Sequence, residues 1–211
     1  WYLLKKGFTY ITDDGVYFNT AKFKSYGKLS NLSNSKKEAG KRISLKEKKN
    51  KTDFALWKFS PKNEKRQQEW ESPWGTGFPG WHIDCSAMSM KHLGITIDIH
   101  TGGQDLSQIH HNNEIAQSEA ATGKKFVNYW LHGGFLLFNN EKISKSSGGL
   151  YTISELEKLS FSPMHYRFLT LQAHYKKPLN FTLENLDAAK TSYERIKRKI
   201  IELKKIKHKG K

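Results

Sequence analysis

The residues able to bind a metal are concentrated between Gly80 and Glu114. Cys85 is the one cysteine of the sequence, and the run 110–114 places His110 and Glu114 four residues apart. If this run is helical, the imidazole and the carboxylate project from the same face. Thiolate, imidazole and carboxylate are all zinc ligands, so a fold that brings Cys85 to the pair would create a metal site. The spacing alone leaves open the commoner alternative, a buried cysteine and an unrelated solvated helix face.

Lys142 and Lys145 form a second candidate group, because they lie among serines and glycines in the segment 141–149. A loop of this composition can close over phosphate groups, with the lysines as point charges and the serines and backbone amides as hydrogen-bond donors. A solvated basic loop is the alternative, and the composition alone favours it.

The elements that would position these groups follow from local sequence patterns. The apolar alternation at 95–99 predicts a short strand, and the glycine-rich stretch 101–105 predicts a loop after it. The segment from His110 to about Thr122 predicts a helix that ends at Gly123. Ligands bind where strands end in open α/β sheets, so a small-molecule site is expected at this turn. Its residues are His100, Gly102, Gly103 and Asp105.

A helix is also predicted from Asp84 to Leu93, with Gly94 as its stop. Asp84 would cap this helix and place Cys85 in the first turn, where the helix dipole stabilises a thiolate. The loop at 72–81 combines proline, glycine and tryptophan and is suited to line a small pocket. An ordinary packed loop is an equal alternative.

Scaffold elements are predicted on both sides of this region. A hairpin is expected over 7–20, because an Asp-Gly step separates two apolar runs, and a strand is expected at 53–59. Few apolar residues occur over 22–51, which predicts a surface excursion or linker with little structure. The run 134–138 predicts another buried strand.

Helices are predicted in the last third of the chain. Thr152 and Glu155 fit a capping box, and Ser162 followed by Pro163 fits a helix start. Met164, Phe168 and Leu171 are expected to form the core face of that second helix. The last helix should begin near Thr182 and carry a heptad-like seam that needs a partner helix. The seam consists of Leu186, Ala189, Tyr193, Ile196, Ile200 and Leu203.

Charge and cysteine usage limit the classes of function. Lys and Arg outnumber Asp and Glu by 36 to 20 in 211 residues, a formal net charge of +16. This excess favours a polyanionic partner such as nucleic acid, with solubility as the alternative. A single cysteine excludes an internal disulfide and fits a reducing compartment, and no membrane-spanning run or secretory signal is visible. The sequence opens with Trp in mid-pattern, so we interpret it as a fragment of a longer protein.

Several of these stretches, in this order, resemble the cysteinyl-tRNA synthetase family of class I aminoacyl-tRNA synthetases. The similar segments are Asp14 to Phe18, Ser72 to Gly75, Gly80 to Met88, Asp98 to Ser118 and Lys142 to Ser146. The Gly-Trp-His-Ile-acidic-Cys element followed by His-His-x-Asn-Glu is specific to this group, and the resemblance extends from Gly7 to about Arg198. The lysine loop is less specific, because all class I synthetases carry a version of it.

The resemblance implies an α/β fold, the C-terminal half of a class I Rossmann-like catalytic domain. Residues 1–51 would be the end of an inserted connective domain, and 52–150 the catalytic half with the zinc site and lysine loop. Residues 151–211 would be a helical stem-contact region and the first helix of a bundle.

The resemblance also implies roles for individual residues. Zinc would be bound by Cys85, His110 and Glu114, with a fourth ligand, a cysteine, upstream of this chain. That zinc would take the thiolate of the substrate cysteine, beside Trp81 and His100. Lys142 and Lys145 would stabilise the departing pyrophosphate. ATP, bound with magnesium, would also contact the turn after His100. The ATP-binding residues implied are Lys145, Gly103 and Asp105.

The implied reaction is the ATP-dependent activation of cysteine and its transfer to tRNA. We expect a cytoplasmic protein, monomeric at full length, whose fragment lacks half of the ATP site and shows no cysteine-dependent pyrophosphate exchange. Two alternatives remain open, a ligase that couples cysteine to an amino sugar, as in mycothiol biosynthesis, and a basic zinc and RNA-binding module without catalysis. The basic terminal helix argues against the amino-sugar acceptor.

This chain departs from the family pattern at four positions without losing a ligand or a lysine. Asp84 and Asn112 replace typical glutamates, Ile143 replaces a typical methionine, and Thr101 replaces a typical glycine before Gly102. The change at Thr101 is expected to affect the local geometry of the loop.

Overall fold

The structure is a computed structural model that describes residues 2–30, 48–61, 63, 66–142 and 151–206. Its first sheet begins with a tight hairpin. The chain divides into two compact units, residues 1–132 and 133–211. In the first unit, a short helix α1 (Tyr2–Lys5) precedes four antiparallel strands in the order β1-β2-β3-β4. They are β1 (Thr9–Thr12), β2 (Gly15–Phe18), β3 (Phe54–Phe59) and β4 (Gly77–Pro79). The predicted hairpin and the predicted strand at 53–59 are confirmed.

Aromatic side chains from β2 and β3 form the centre of the first core. The rings of Phe18 and Phe54 stack with their centroids 5.1 Å apart, and both side chains are buried. Leu3 and Leu56 complete this face of the sheet. Ala116 also belongs to the cluster, so a later helix packs directly on this core.

The helix that carries Cys85 begins earlier than the sequence predicts. Helix α2 (Trp81–Leu93) has Gly80 as its N-cap, without a side-chain cap, so the prediction that Asp84 caps it is wrong. Gly80 lies so close to β3 that an added Cβ would be 1.9 Å from the carbonyl oxygen of Ala55. This close approach lets α2 start directly after the sheet, which places Asp84 in the first turn and Cys85 beyond it.

The predicted strand-loop-helix unit follows, and a further strand that the sequence analysis did not predict comes after its helix. Strand β5 (Ile97–Gly103) leads to helix α3 (His110–Thr122), and β6 (Val127–Gly133) pairs with β5. Two hydrogen bonds lie where these strands begin, from the Thr96 hydroxyl to the Lys125 carbonyl and from the Ile97 amide to the Phe126 carbonyl. Their positions advance in the same direction along both segments, as in a parallel pair.

The bounds of the helix agree with the prediction, whereas β5 begins two residues later and ends four residues later than the predicted strand 95–99. Gly123 ends α3 in a left-handed conformation (φ 73°), as predicted. Strand β5 runs past Ile99 to Gly103, so Thr101 lies in a strand and not in the predicted loop. Pairing with β6 extends the strand beyond the apolar alternation that predicted it.

The second unit combines a three-stranded sheet with three helices. The sheet has the order β8-β7-β9, formed by β7 (Leu136–Phe138), β8 (Glu141–Lys142) and β9 (Leu179–Phe181). Asn139 and Asn140, both with positive φ, form the turn between β7 and β8. The helices are α4 (Ile153–Lys158), α5 (Pro163–Leu171) and α6 (Leu183–Lys205). The capping box at Thr152, the start at Ser162 and the start of the last helix near Thr182 are confirmed.

The predicted core face of α5 is wrong. Met164 and Leu171 are 44% and 71% exposed, whereas Leu169 is buried against Leu186 and Ala189 of α6. Phe168 is partly buried at the edge of this cluster. Helix α5 packs against both α6 and the sheet, so the face that it buries differs from the single apolar stripe predicted from its sequence.

The predicted seam of α6 is buried only at its start. Leu186 and Ala189 are fully buried, whereas Ile200 and Leu203 are 47% and 64% exposed. A partner helix for this second half remains a prediction. Of the helices that the structure describes, none has both the length and the apolar character needed to cross a membrane.

Candidate metal centre

Helices α2 and α3 bring the predicted metal ligands together. One ligand atom each from Cys85, His110 and Glu114 lies within 4.8 Å of the other two. A buried polar contact holds the helices side by side, because the side-chain amide of Gln117 donates to the carbonyl of His82 and to the hydroxyl of Ser86, both at 2.6 Å. The fold therefore places Cys85 beside the His/Glu pair, as the ligand hypothesis requires.

Glu114 is a fully buried carboxylate with imidazoles close to both of its oxygens. Its Oε1 lies 2.9 Å from Nε2 of His110, and its Oε2 lies 3.4 Å from Nε2 of His100. Burial alone would raise the pKa of Glu114, but the contacts with His100 and His110 outweigh it and lower the pKa to about 2. Neither oxygen has a well-aligned hydrogen-bond donor among the described residues. A buried anion without aligned donors is the environment that a metal cation would complete.

His82 fixes the orientation of the His110 ring. Their Nδ1 atoms are 2.8 Å apart, so one ring donates a hydrogen bond to the other. Burial, followed by repulsion from His110, lowers the pKa of His82 to about 3, so this ring is neutral at neutral pH. When His110 donates from Nδ1, its Nε2 keeps a free lone pair on the side of Glu114. Metal-ligating histidines are commonly held in this way through their second nitrogen.

The three ligand atoms fit the dimensions of a zinc site. Zinc bonds of about 2.0–2.3 Å in a tetrahedral arrangement place ligand atoms about 3.3–3.8 Å apart, which is compatible with the 4.8 Å limit found here. One imidazole, one carboxylate and one thiol also match the donor types that zinc prefers. Three ligands from this chain leave room for the fourth ligand expected upstream of it, and zinc can expand to a fifth ligand from a substrate.

The environment of Cys85 differs from the prediction. Burial raises the pKa of its thiol, and the negative charges of Glu114 and Asp84 raise it further. Because α2 begins at Trp81, Cys85 does not lie in the first turn, and the predicted stabilisation of its thiolate by the helix dipole is wrong. A cation bound beside Glu114 would supply the missing positive charge.

A second group of polar residues lies on the other side of Glu114. Ligand atoms of His100, His111 and Glu114 also fall within 4.8 Å of one another. Nδ1 of His111 is 2.8 Å from Nε2 of His132, and the Trp130 ring lies 4.6 Å from the His111 ring. Burial, as the largest effect, lowers the pKa of His111 to about 4. Glu114 is thus shared by two histidine groups.

Sequence reasoning missed four residues of this centre, although signals for them exist. His82 precedes Cys85 by three positions on the same helix, and His111 directly follows His110. Trp130 and His132 alternate in β6, so they project to the same face of the strand. Their partners are distant in sequence, so the signals become specific only in the folded chain.

Trp81 and His100, the two residues expected near the substrate cysteine, lie beside the candidate metal ligands. The Trp81 ring is 69% exposed, and its centroid lies 4.7 Å from that of His110. His100 is largely buried, with its ring 4.8 Å from Trp130. Trp81 therefore offers an exposed apolar wall beside the candidate ligands, and His100 contacts the shared carboxylate.

The residues expected to bind ATP are described only in part. Gly103 ends β5, and Asp105 is exposed in the turn before α3. Lys142 ends β8 in the second unit, and Lys145 lies outside the described residues. Their roles, like those of the metal and cysteine-binding residues, remain predictions.

Comparison with known proteins identifies the relatives of this chain. Residues 2–191 match the family model described as "tRNA synthetases class I (C) catalytic domain". The chain is 52% identical over 194 residues to cysteine–tRNA ligase 1 of Burkholderia lata and 53% identical over 195 residues to cysteine–tRNA ligase of Methanococcus maripaludis. It is 51% identical over 203 residues to the corresponding ligase of a Geobacillus species. These alignments cover 92%, 92% and 96% of this chain but only 41%, 40% and 43% of the relatives.

Proposed function

Because this chain belongs to the family of class I (C) tRNA synthetase catalytic domains, we propose that it is the part of a cysteine–tRNA ligase that recognises the cysteine thiol. The observation that carries the proposal is the convergence of Cys85, His110 and Glu114 on one point. The relatives carry the name of this ligase and are about half identical to the chain. The chain spans about two fifths of their length, so the activity proposed is that of the whole protein.

In this proposal, zinc is held by Cys85 Sγ, His110 Nε2 and the Glu114 carboxylate. Zinc at this point would supply a Lewis-acid centre that binds a sulfur ligand in preference to a hydroxyl. The site would therefore separate cysteine from serine, a distinction that an apolar pocket makes poorly because the two side chains have nearly the same shape. The buried position of Glu114 strengthens its attraction for a cation, because water does not screen it.

The neighbouring residues orient the ligands and shape the substrate side. His82 holds the His110 ring through the Nδ1 contact of 2.8 Å. The exposed Trp81 ring forms an apolar wall against which the substrate would lie. His100 lies against the Glu114 carboxylate and restricts its rotation.

The ATP and tRNA functions rest on the resemblance and on charge. Lys142 and Lys145 would neutralise charge on the departing pyrophosphate, with magnesium bound to ATP, and Gly103 and Asp105 would lie near the nucleotide. Helix α6 supports tRNA as the acceptor, because basic residues dominate its second half, at 195, 197, 198, 199, 204 and 205. We further propose a cytoplasmic, monomeric full-length protein.

Metal analysis of the purified chain and of Cys85→Ala tests the metal assignment. We expect the variant to hold less zinc, and equal zinc content in both proteins would remove Cys85 from the ligand set. Ser89→Ala is a matched control, because Ser89 lies on the same helix and contacts only the backbone carbonyl of Cys85.

Charging assays on the full-length protein test the reaction. We expect transfer of cysteine to tRNA with strong discrimination against serine. Transfer to an amino sugar would favour the mycothiol-type ligase, and a full-length protein without ATP affinity in calorimetry would favour a non-catalytic RNA-binding module.

A further inference from the structure

We propose that Tyr26 and Ser30 are positioning residues for the metal centre. They hold the first turn of α3 in the orientation in which His110 and Glu114 face Cys85. The inference rests on the metal site of the proposed function and deepens it. It assigns a role to part of the segment 22–51, which the sequence predicts to be a surface excursion or linker.

The contacts from this segment fall between the two α3 ligands. The Tyr26 hydroxyl donates to Oδ1 of Asn113 at 2.6 Å. The side-chain amide of Asn112 donates to the Ser30 hydroxyl at 2.8 Å. Asn112 and Asn113 are both buried and immediately precede Glu114. Each partner therefore contacts the same helical turn that carries the ligands.

The first turn of α3 is held from several sides. Successive helical residues are rotated by about 100°, so the turn directs His110 and Glu114 toward α2 and His111 toward β6. The two asparagines, about 100° apart by the same rotation, lie on the remaining sides of the turn, where Asn112 meets Ser30 and Asn113 meets Tyr26. Loss of these contacts would leave the turn less well held on those sides.

Lateral contacts matter here because the helix lacks a side-chain cap. Its N-cap residue is Ile109, which makes no side-chain capping hydrogen bond. A helix end without a cap frays more readily than one with a capping Ser, Thr, Asp or Asn. The side chain of Asn112 does not cap these amides, but it donates to the carbonyls of Ser107 and Gln108 and so ties the first turn to the loop before it.

The segment that carries Tyr26 is itself anchored to the first sheet. The buried carboxylate of Asp53 accepts hydrogen bonds from the backbone amide and hydroxyl of Thr20, both at 2.8 Å, and from the amide of Asn50 at 3.0 Å. The Tyr26 ring packs against the core cluster around Phe18. The position of the Tyr26 hydroxyl is therefore fixed by contacts with the first core.

The expected loss of metal affinity can be estimated from the effect of removing residues that contact metal ligands. Removing a partner that touches a ligand typically costs about 10–100-fold in metal affinity. Tyr26 acts through Asn113 and not on a ligand directly, so we expect the lower end, about 10-fold.

Tyr26→Phe tests the proposal, because it removes the hydroxyl and keeps the ring. We expect Zn²⁺ affinity, measured on the full chain by competition with a chromogenic chelator, to fall about 10-fold. Amide hydrogen exchange of residues 110–114 in the metal-free chain should become faster. Ser30→Ala should act in the same direction, with a smaller effect.

Tyr17→Phe is the matched control. The buried Tyr17 also donates a hydrogen bond in this unit, to Oδ2 of Asp14 at 3.0 Å, and that bond involves neither Asp53 nor α3. Unchanged affinity and exchange in Tyr26→Phe, or equal changes in Tyr17→Phe, would overturn the positioning role. If the unaltered chain binds no more zinc than Cys85→Ala, the metal assignment itself fails and this inference falls with it.

Discussion

The Nδ1 atoms of His82 and His110 lie 2.8 Å apart, which joins helix α2 to the metal-ligand face of α3. The contact leaves Nε2 of His110 directed toward Glu114, 2.9 Å from Oε1. In the proposed metal site, His82 would therefore act on the metal through the ring of another residue.

Replacement of His82 by Phe should weaken metal binding. The aromatic ring preserves much of the packing but cannot hydrogen bond, so His110 loses the group that fixes its tautomer. Zn²⁺ affinity should fall by about 10–100-fold in the chelator competition assay. His92→Phe, at an exposed position of the same helix, should leave the affinity unchanged. Equal affinity in His82→Phe would show that the contact has no role in metal binding.

The metal-free chain should lose stability as the pH falls below neutrality. Burial lowers the pKa of His82 to about 3 and of His111 to about 4, so the unfolded chain takes up protons on these groups first. Stability should therefore decline from about pH 6.5 downward, by at most about 1.4 kcal/mol per pH unit for each group. Glu114, whose pKa is lowered to about 2, adds a further loss once the pH falls below its ordinary value.

Urea unfolding at several pH values, with chelator present, measures this dependence. The His82→Phe variant should show a smaller slope between pH 6.5 and 4. A slope of zero in the unaltered chain would contradict the burial of neutral histidines.

Replacement of Gly102 by Ala should destabilise the first unit. An added Cβ would lie 2.6 Å from Cε1 of His111, a buried ring held by His132, so the ring must move. We expect a loss of about 1–3 kcal/mol in the free energy of unfolding. Gly103→Ala is the control, because its Cβ would meet only the carboxylate end of the Asp105 side chain, which can rotate away. A larger loss in the control would contradict this packing.

The orientation of α5 can be tested with two leucines. Leu169→Ala should destabilise the second unit by about 2–5 kcal/mol, because Leu169 is buried against α6. Leu171→Ala should change the free energy of unfolding by less than about 0.5 kcal/mol, because its side chain is 71% exposed. If Leu171→Ala were the more destabilising variant in thermal or urea unfolding, the buried face of α5 would be the one that the sequence predicts.

Elements whose signals lie within a few residues were predictable. The turn between β1 and β2, the capping box at Thr152 and the end of α3 at Gly123 depend on neighbours in sequence, and all three are confirmed. The start of α2 was not predictable, because it depends on the approach of Gly80 to Ala55 in another element. The buried face of α5 depends in the same way on α6.

The sequence by itself determined the types of ligand and the spacing of His110 and Glu114, because a helix places residues four apart on one face whatever surrounds it. Only the tertiary structure decided that Cys85 reaches that pair, that His82 contacts His110, and that Tyr26 and Ser30 contact the turn between His110 and Glu114. These contacts join residues from separate elements, and burial makes them specific, since a polar group removed from water needs a partner that no local pattern can supply.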